Sequence, residues 1–141
     1  CIRDSFYGIL DPGSGVLHYC NAGHHPPYLL RAENGEAVQE LRRTGMALGV
    51  VEEATWEQAT VRLAPGDMLV LYTDGLTDAE DGTGSFFGRE RLRESVRAHL
   101  GCSAQDVQDT LIAEVHEFMG ETPQFDDITL VIVKSVGLEV L

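Results

Sequence analysis

Two apolar strands that each meet an aspartate constrain this chain more than any other feature of its sequence. Met68-Leu69-Val70-Leu71-Tyr72-Thr73 runs into Asp74-Gly75, and Asp126-Asp127 opens into Ile128-Thr129-Leu130-Val131-Ile132-Val133. Both runs read as apolar strands. If the two lie antiparallel and adjacent, the end of one meets the start of the other. Carboxylates far apart in sequence then share one sheet edge. Clustered carboxylates repel unless a positive charge sits among them, and a hard divalent cation with oxygen ligands answers that need. Taken alone, Asp74-Gly75 is also ordinary turn chemistry.

The segments before Asp74 read as strands and turns. Ser5 to Leu10 and Val16 to Cys20 flank the turn cluster Asp11-Pro12-Gly13-Ser14-Gly15. Tyr28 to Ala32 and Ala37 to Leu41 flank Glu33-Asn34-Gly35-Glu36, and Asn-Gly between strands is a strong hairpin signal. Thr55 to Leu63 alternates, with Ala59, Val61 and Leu63 on one face.

The character changes after Asp74. Leu76 to Gly88 reads as an acidic, glycine-bearing loop, either mobile and bordering a substrate entrance or a plain surface connection. Arg89 to Leu100 places Leu92, Val96 and Leu100 at helical spacing, with Gly101 as its stop. Ser103 with Asp106 resembles a capping box for a second helix, which Gly120 and Pro123 end. Strands, then a helix pair, then a returning strand predict an α+β fold.

The chain of 141 residues is expected to be one domain. Its formal net charge of −13 argues against nucleic acid or an anionic membrane surface as partner. No apolar run reaches the length of a membrane span, and no signal-peptide pattern opens the chain. Cys1, Cys20 and Cys102 form no CxxC pair and suit a reducing cytoplasm. The start at Cys1 reads as a piece of a longer polypeptide.

Asn21-Ala22-Gly23-His24-His25-Pro26-Pro27 is the remaining candidate. Its histidines suit metal ligation or proton donation. A rigid exposed loop is the plainer reading, because adjacent residues on a strand face opposite ways. His24 is expected to be structural, fixing the turn after the second strand. No GxSxG, phosphate-binding loop or glycine-rich dinucleotide turn is present.

These pieces occur in a telling order: Asn21-Ala22-Gly23-His24-x-Pro26-Pro27, Gly45-x-x-Leu48-Gly49, Pro65-Gly66-Asp67 through Tyr72-Thr73-Asp74-Gly75-Leu76-Thr77-Asp78-Ala79, Phe87-Gly88, and Asp126-Asp127-Ile128-Thr129-Leu130. The ordered set resembles the SpoIIE/RsbU-type branch of the PPM metal-dependent serine/threonine phosphatases across roughly residues 5 to 134.

The resemblance implies part of an α-β-β-α sandwich, two antiparallel sheets flanked by helices. It implies Asp74 and Asp126 as metal ligands, with Asp127 an additional candidate beside them, and two Mn²⁺ or Mg²⁺ ions in the complete domain. The implied reaction is hydrolysis of phosphoserine or phosphothreonine by a metal-activated water, with no covalent nucleophile. The implied substrate is a phosphorylated STAS-domain anti-anti-sigma factor, in a cytoplasmic bacterial signalling pathway, with a sensor or receiver domain upstream.

One departure qualifies this. The family's earlier segment, with an Asp-Gly-His-Gly-like motif that bridges the metals, has no counterpart in residues 1–141. The chain is therefore expected to be the C-terminal portion of the catalytic domain and inactive alone, with exposed sheet edges that favour self-association. The alternative is a non-catalytic pseudophosphatase module that binds a STAS-domain partner without turnover.

Overall fold

A computed structural model describes residues 3–35 and 38–137. Two antiparallel sheets pack face to face, and two helices cover one of them. Strands β1 (Ser5–Asp11), β2 (Val16–Ala22) and β5 (Ala59–Arg62) form a three-stranded sheet in the order β1-β2-β5. Strands β3 (Tyr28–Leu30), β4 (Val38–Glu40), β6 (Met68–Tyr72) and β7 (Leu130–Lys134) form a four-stranded sheet in the order β4-β3-β6-β7. The helices are α1 (Asp74–Thr77), α2 (Gly88–Ala98) and α3 (Ala104–Met119). This is the expected α+β architecture of two antiparallel sheets with helices outside.

The layers follow from period-two alternation on strands that are apolar on both faces. Tyr28, Leu30, Met68, Val70 and Tyr72 face the helices and pack with Leu92, Val96, Val107, Leu111 and Val115. Leu29 and Leu69 face the other way, into a second cluster with Leu17, Tyr19, Val61 and Leu63. Leu92 and Leu111 are fully buried, and truncating such a leucine to alanine costs roughly 2–5 kcal/mol. On β1, Tyr7 and Ile9 point outward and are 66% and 59% exposed.

Helix α3 starts at a formed capping box. The Ser103 hydroxyl accepts from the Asp106 amide, and the Asp106 carboxylate accepts from the Ser103 amide. Helix α2 stops at Ala98, before Gly101, where three-residue turns, Leu100 amide to Arg97 carbonyl and Cys102 amide to His99 carbonyl, replace the helical ladder. Lys134 of β7 donates to the carbonyls of Leu100 (2.8 Å) and Cys102, which ties the α2–α3 connection to the sheet. The Asn34-Gly35 hairpin is present as the antiparallel β3–β4 pair, Tyr28 opposite Glu40. Ala37 and Glu36 of that reading lie outside the described residues, as do Cys1, Ile2 and the final four residues.

The turn into β6 is built around a buried carboxylate. Asp67 is 1% exposed. It accepts from the Ala32 and Ala64 amides, both at 2.9 Å, and from Arg31 Nη1 at 2.8 Å. Burial pushes its pKa up, but the two amides and Arg31 outweigh that and hold it below the ordinary aspartate value of 3.8. A lowered folded-state value contributes stability above about pH 4, lost as pH falls through the folded value. Asp67→Asn should therefore lower the urea midpoint at pH 7, by about 1–3 kcal/mol of stability. The gap between mutant and wild type should narrow towards pH 3. An equal gap at both pH values would contradict this account.

Candidate metal centre at the β6–β7 edge

β6 and β7 pair antiparallel with Tyr72 opposite Leu130 and Met68 opposite Lys134. The end of β6 thus lies against the start of β7, as the strand pattern predicts. β7 begins at Leu130, however, and not at the aspartate pair. Thr73 explains the difference. Its amide still donates to the Thr129 carbonyl at 3.1 Å, but the Thr129 amide donates to the Thr73 hydroxyl at 3.0 Å. That hydroxyl also donates to the Asp127 carbonyl at 3.2 Å. A side chain replaces the ladder here and carries Asp126-Asp127 onto the edge as a loop.

Gly75 sets how closely that loop approaches. A Cβ at this position would lie 2.2 Å from the Asp127 carbonyl oxygen and 2.9 Å from its carbon. Only glycine lets the two backbones meet. The Asp127 amide donates to Asp126 Oδ1 at 2.8 Å, and Gln124 Nε2 donates to the Asp126 carbonyl at 2.8 Å. Both bonds hold the loop.

Asp74 and Asp126 line one cleft of about 160 Å³, together with Asp78 and Glu80. Asp127 is outside its lining and enters the edge through its backbone. The residues after Asp74 are not an open loop throughout. Leu76 and Thr77 belong to α1, and Glu80 bridges to Phe86. Asp81 Oδ1 gathers the amides of Thr83 and Ser85 and the Thr83 hydroxyl. Those bonds hold the Asp81 carboxyl below its ordinary value, the Ser85 amide contributing most.

The two histidines separate. His24 Nδ1 lies 3.0 Å from Asp4 Oδ2. His25 Nε2 lies 3.8 Å from Asp74 Oδ2. The His25 ring stacks on Tyr72 with centroids 6.2 Å apart. Burial pushes the Tyr72 phenol far above its ordinary value. The sequence offers both histidines as candidates but does not single out His25. Alternation shows that neighbours diverge but not which one faces a distant strand end.

The donor set fits a hard divalent cation in part. Asp74 is 54% exposed, and no lysine or arginine pairs with Asp74 or Asp126 among the described residues. Oxygen donors free of cationic side chains are what Mg²⁺ and Mn²⁺ take. Yet no group of three or more His, Cys, Asp or Glu stands ready for a metal among the described residues. The edge offers part of a coordination sphere.

The model of the Stage II sporulation protein E (SpoIIE) family matches residues 4–136. The chain belongs to the SpoIIE family. It is similar to protein IcfG of Synechocystis sp., 38% identical over 128 residues, 91% of this chain and 20% of IcfG. It is 26% identical to the phosphoserine phosphatase RsbU of Bacillus subtilis over 132 residues, 92% of this chain and 38% of RsbU. The SiaA-PP2C domain of Pseudomonas aeruginosa superposes with a TM-score of 0.79 at 30% identity, over 93% of this chain and 51% of that one. By sequence the chain is of the SpoIIE family and by fold it is similar to a PP2C-type domain, and it spans a minority of the curated relatives' length.

Proposed function

We propose that the complete protein is a metal-dependent phosphoserine/phosphothreonine phosphatase and that Asp74 and Asp126 are cation ligands in it. The observation that carries the reading is the convergence of these two carboxylates on one cleft that no lysine or arginine lines among the described residues. Membership of the SpoIIE family and the similarity to RsbU support it. A bound pair of Mn²⁺ or Mg²⁺ ions would supply an activated water and neutralise phosphoryl oxygens. The chain's own residues orient the ligands: Thr73 and Gly75 fix the Asp126-Asp127 loop against Asp74. Asp127 is the weaker ligand candidate, because it lies outside the lining of that cleft.

The 141 residues read as the C-terminal portion of the catalytic domain, and the missing donors belong to sequence upstream of it. The partial donor set supports this. The substrate fits a phosphorylated STAS-domain protein in cytoplasmic bacterial signalling, with a sensor or receiver domain in the same polypeptide and homo-oligomers through exposed sheet edges. The same partial set favours a second reading, a pseudophosphatase that binds such a partner without turnover.

Phosphate release from a phosphoserine STAS-domain protein separates the readings. The full-length protein should release phosphate with Mn²⁺ or Mg²⁺ and stop with chelator. The 141-residue chain alone should release none above a metal-only blank. Tight binding of the phosphoprotein by the full-length protein without release would establish the pseudophosphatase instead.

A further inference from the structure

We infer that His25 is a positioning residue for Asp74 and that Arg89 fixes its ring proton on the nitrogen that faces this carboxylate. The inference rests on the reading of Asp74 as a cation ligand. Arg89, at the start of α2, places Nη2 3.3 Å from His25 Nδ1. A guanidinium only donates, so Nδ1 is the acceptor of this bond. The ring N–H then sits on Nε2, and Nε2 is the atom 3.8 Å from Asp74 Oδ2.

The ring has little freedom to turn away. It lies on Tyr72 at an interplanar angle of 22°, and Tyr72 is itself 2% exposed and packed 5.3 Å from the Tyr28 ring. Pro26 and Pro27 stiffen the backbone that follows. Asp74, by contrast, is an exposed carboxylate that no arginine or lysine pairs with among the described residues. An N–H that closes to hydrogen-bond distance of one of its oxygens would set the carboxylate plane and leave the other oxygen for a cation. The 3.8 Å separation is longer than a hydrogen bond. Contacts of this kind at active sites shorten when the site fills. Partners that orient a metal ligand change metal affinity about 10–100-fold when removed.

The competing account is that His25 only packs against Tyr72. His25→Phe keeps the stacking surface and removes the N–H; His25→Gln keeps an N–H at similar reach. Mn²⁺ binding to the full-length protein, followed by the electron paramagnetic resonance signal of free Mn²⁺, distinguishes the two. His25→Phe should weaken binding about 10-fold or more, and His25→Gln should stay near wild type. In the metal-free wild-type protein, nitrogen NMR of the His25 ring, assigned by its loss in His25→Gln, should show the proton on Nε2. Wild-type Mn²⁺ affinity in His25→Phe, or a proton on Nδ1, would overturn the inference. Asp74→Asn measured alongside separates the failures. If it abolishes binding while His25→Phe does not, only the role of His25 falls. If it leaves binding intact, the ligand reading falls, and the inference with it.

Discussion

Asp74→Asn and Asp126→Asn should each abolish Mn²⁺-dependent hydrolysis of p-nitrophenyl phosphate by the full-length protein while leaving its circular dichroism unchanged. Asparagine keeps the shape of the side chain and one carbonyl oxygen but removes the negative charge that holds a hard cation. Residues that merely orient a ligand cost about 10–100-fold when lost, so loss of a ligand should exceed about 10²-fold. The fold should tolerate the change, because both side chains are exposed. In Asp126→Asn, the carbonyl oxygen of the new side chain could still accept from the Asp127 amide. Asp127→Asn should be milder, because Asp127 meets the edge through its carbonyl and amide. Turnover near wild type in either of the first two variants would contradict the assignment.

Gly75→Ala should be nearly as damaging, for a geometric reason. The added methyl would lie 2.2 Å from the Asp127 oxygen and 3.4 Å from the Asp126 carbonyl carbon. These are backbone atoms that cannot swing aside, so the Asp126-Asp127 loop must move. Forcing an extra carbon into such a contact costs about 1–3 kcal/mol. A displacement of about 1 Å at a reacting centre can cost about 10²-fold in rate. The expected result is a lowered melting temperature together with a large loss of turnover at temperatures where the variant stays folded. Wild-type turnover in Gly75→Ala would mean that the close approach does not set the site.

What could be read from sequence follows from the range of the forces involved. The capping box at Ser103 and Asp106 is a local pattern, and it forms as read. The β6 and β7 runs are long and apolar enough to be found, and they pair antiparallel as the strand pattern predicts. The short strands β3 and β4 show through the Asn-Gly turn between them, whereas α1, with four residues, is too short for a period to show. Leu76-Thr77 therefore read as loop, and the ladder at 128–129 gave way to the Thr73 hydroxyl. Nothing local to Pro65-Gly66-Asp67 shows that Asp67 binds Arg31 and the Ala32 amide, more than thirty residues earlier in the chain. The site was half legible for the same reason. Asp74 and Asp126 announce themselves at strand ends, whereas His25 reaches Asp74 only through tertiary packing on Tyr72.

Anomalous diffraction from Mn²⁺-soaked crystals of the full-length protein tests the central claim most directly. The account predicts a manganese peak at the β6–β7 edge with carboxylate oxygens of Asp74 and Asp126 at about 2.1 Å from metal. Manganese bound elsewhere, with both carboxylates left to solvent, would contradict it.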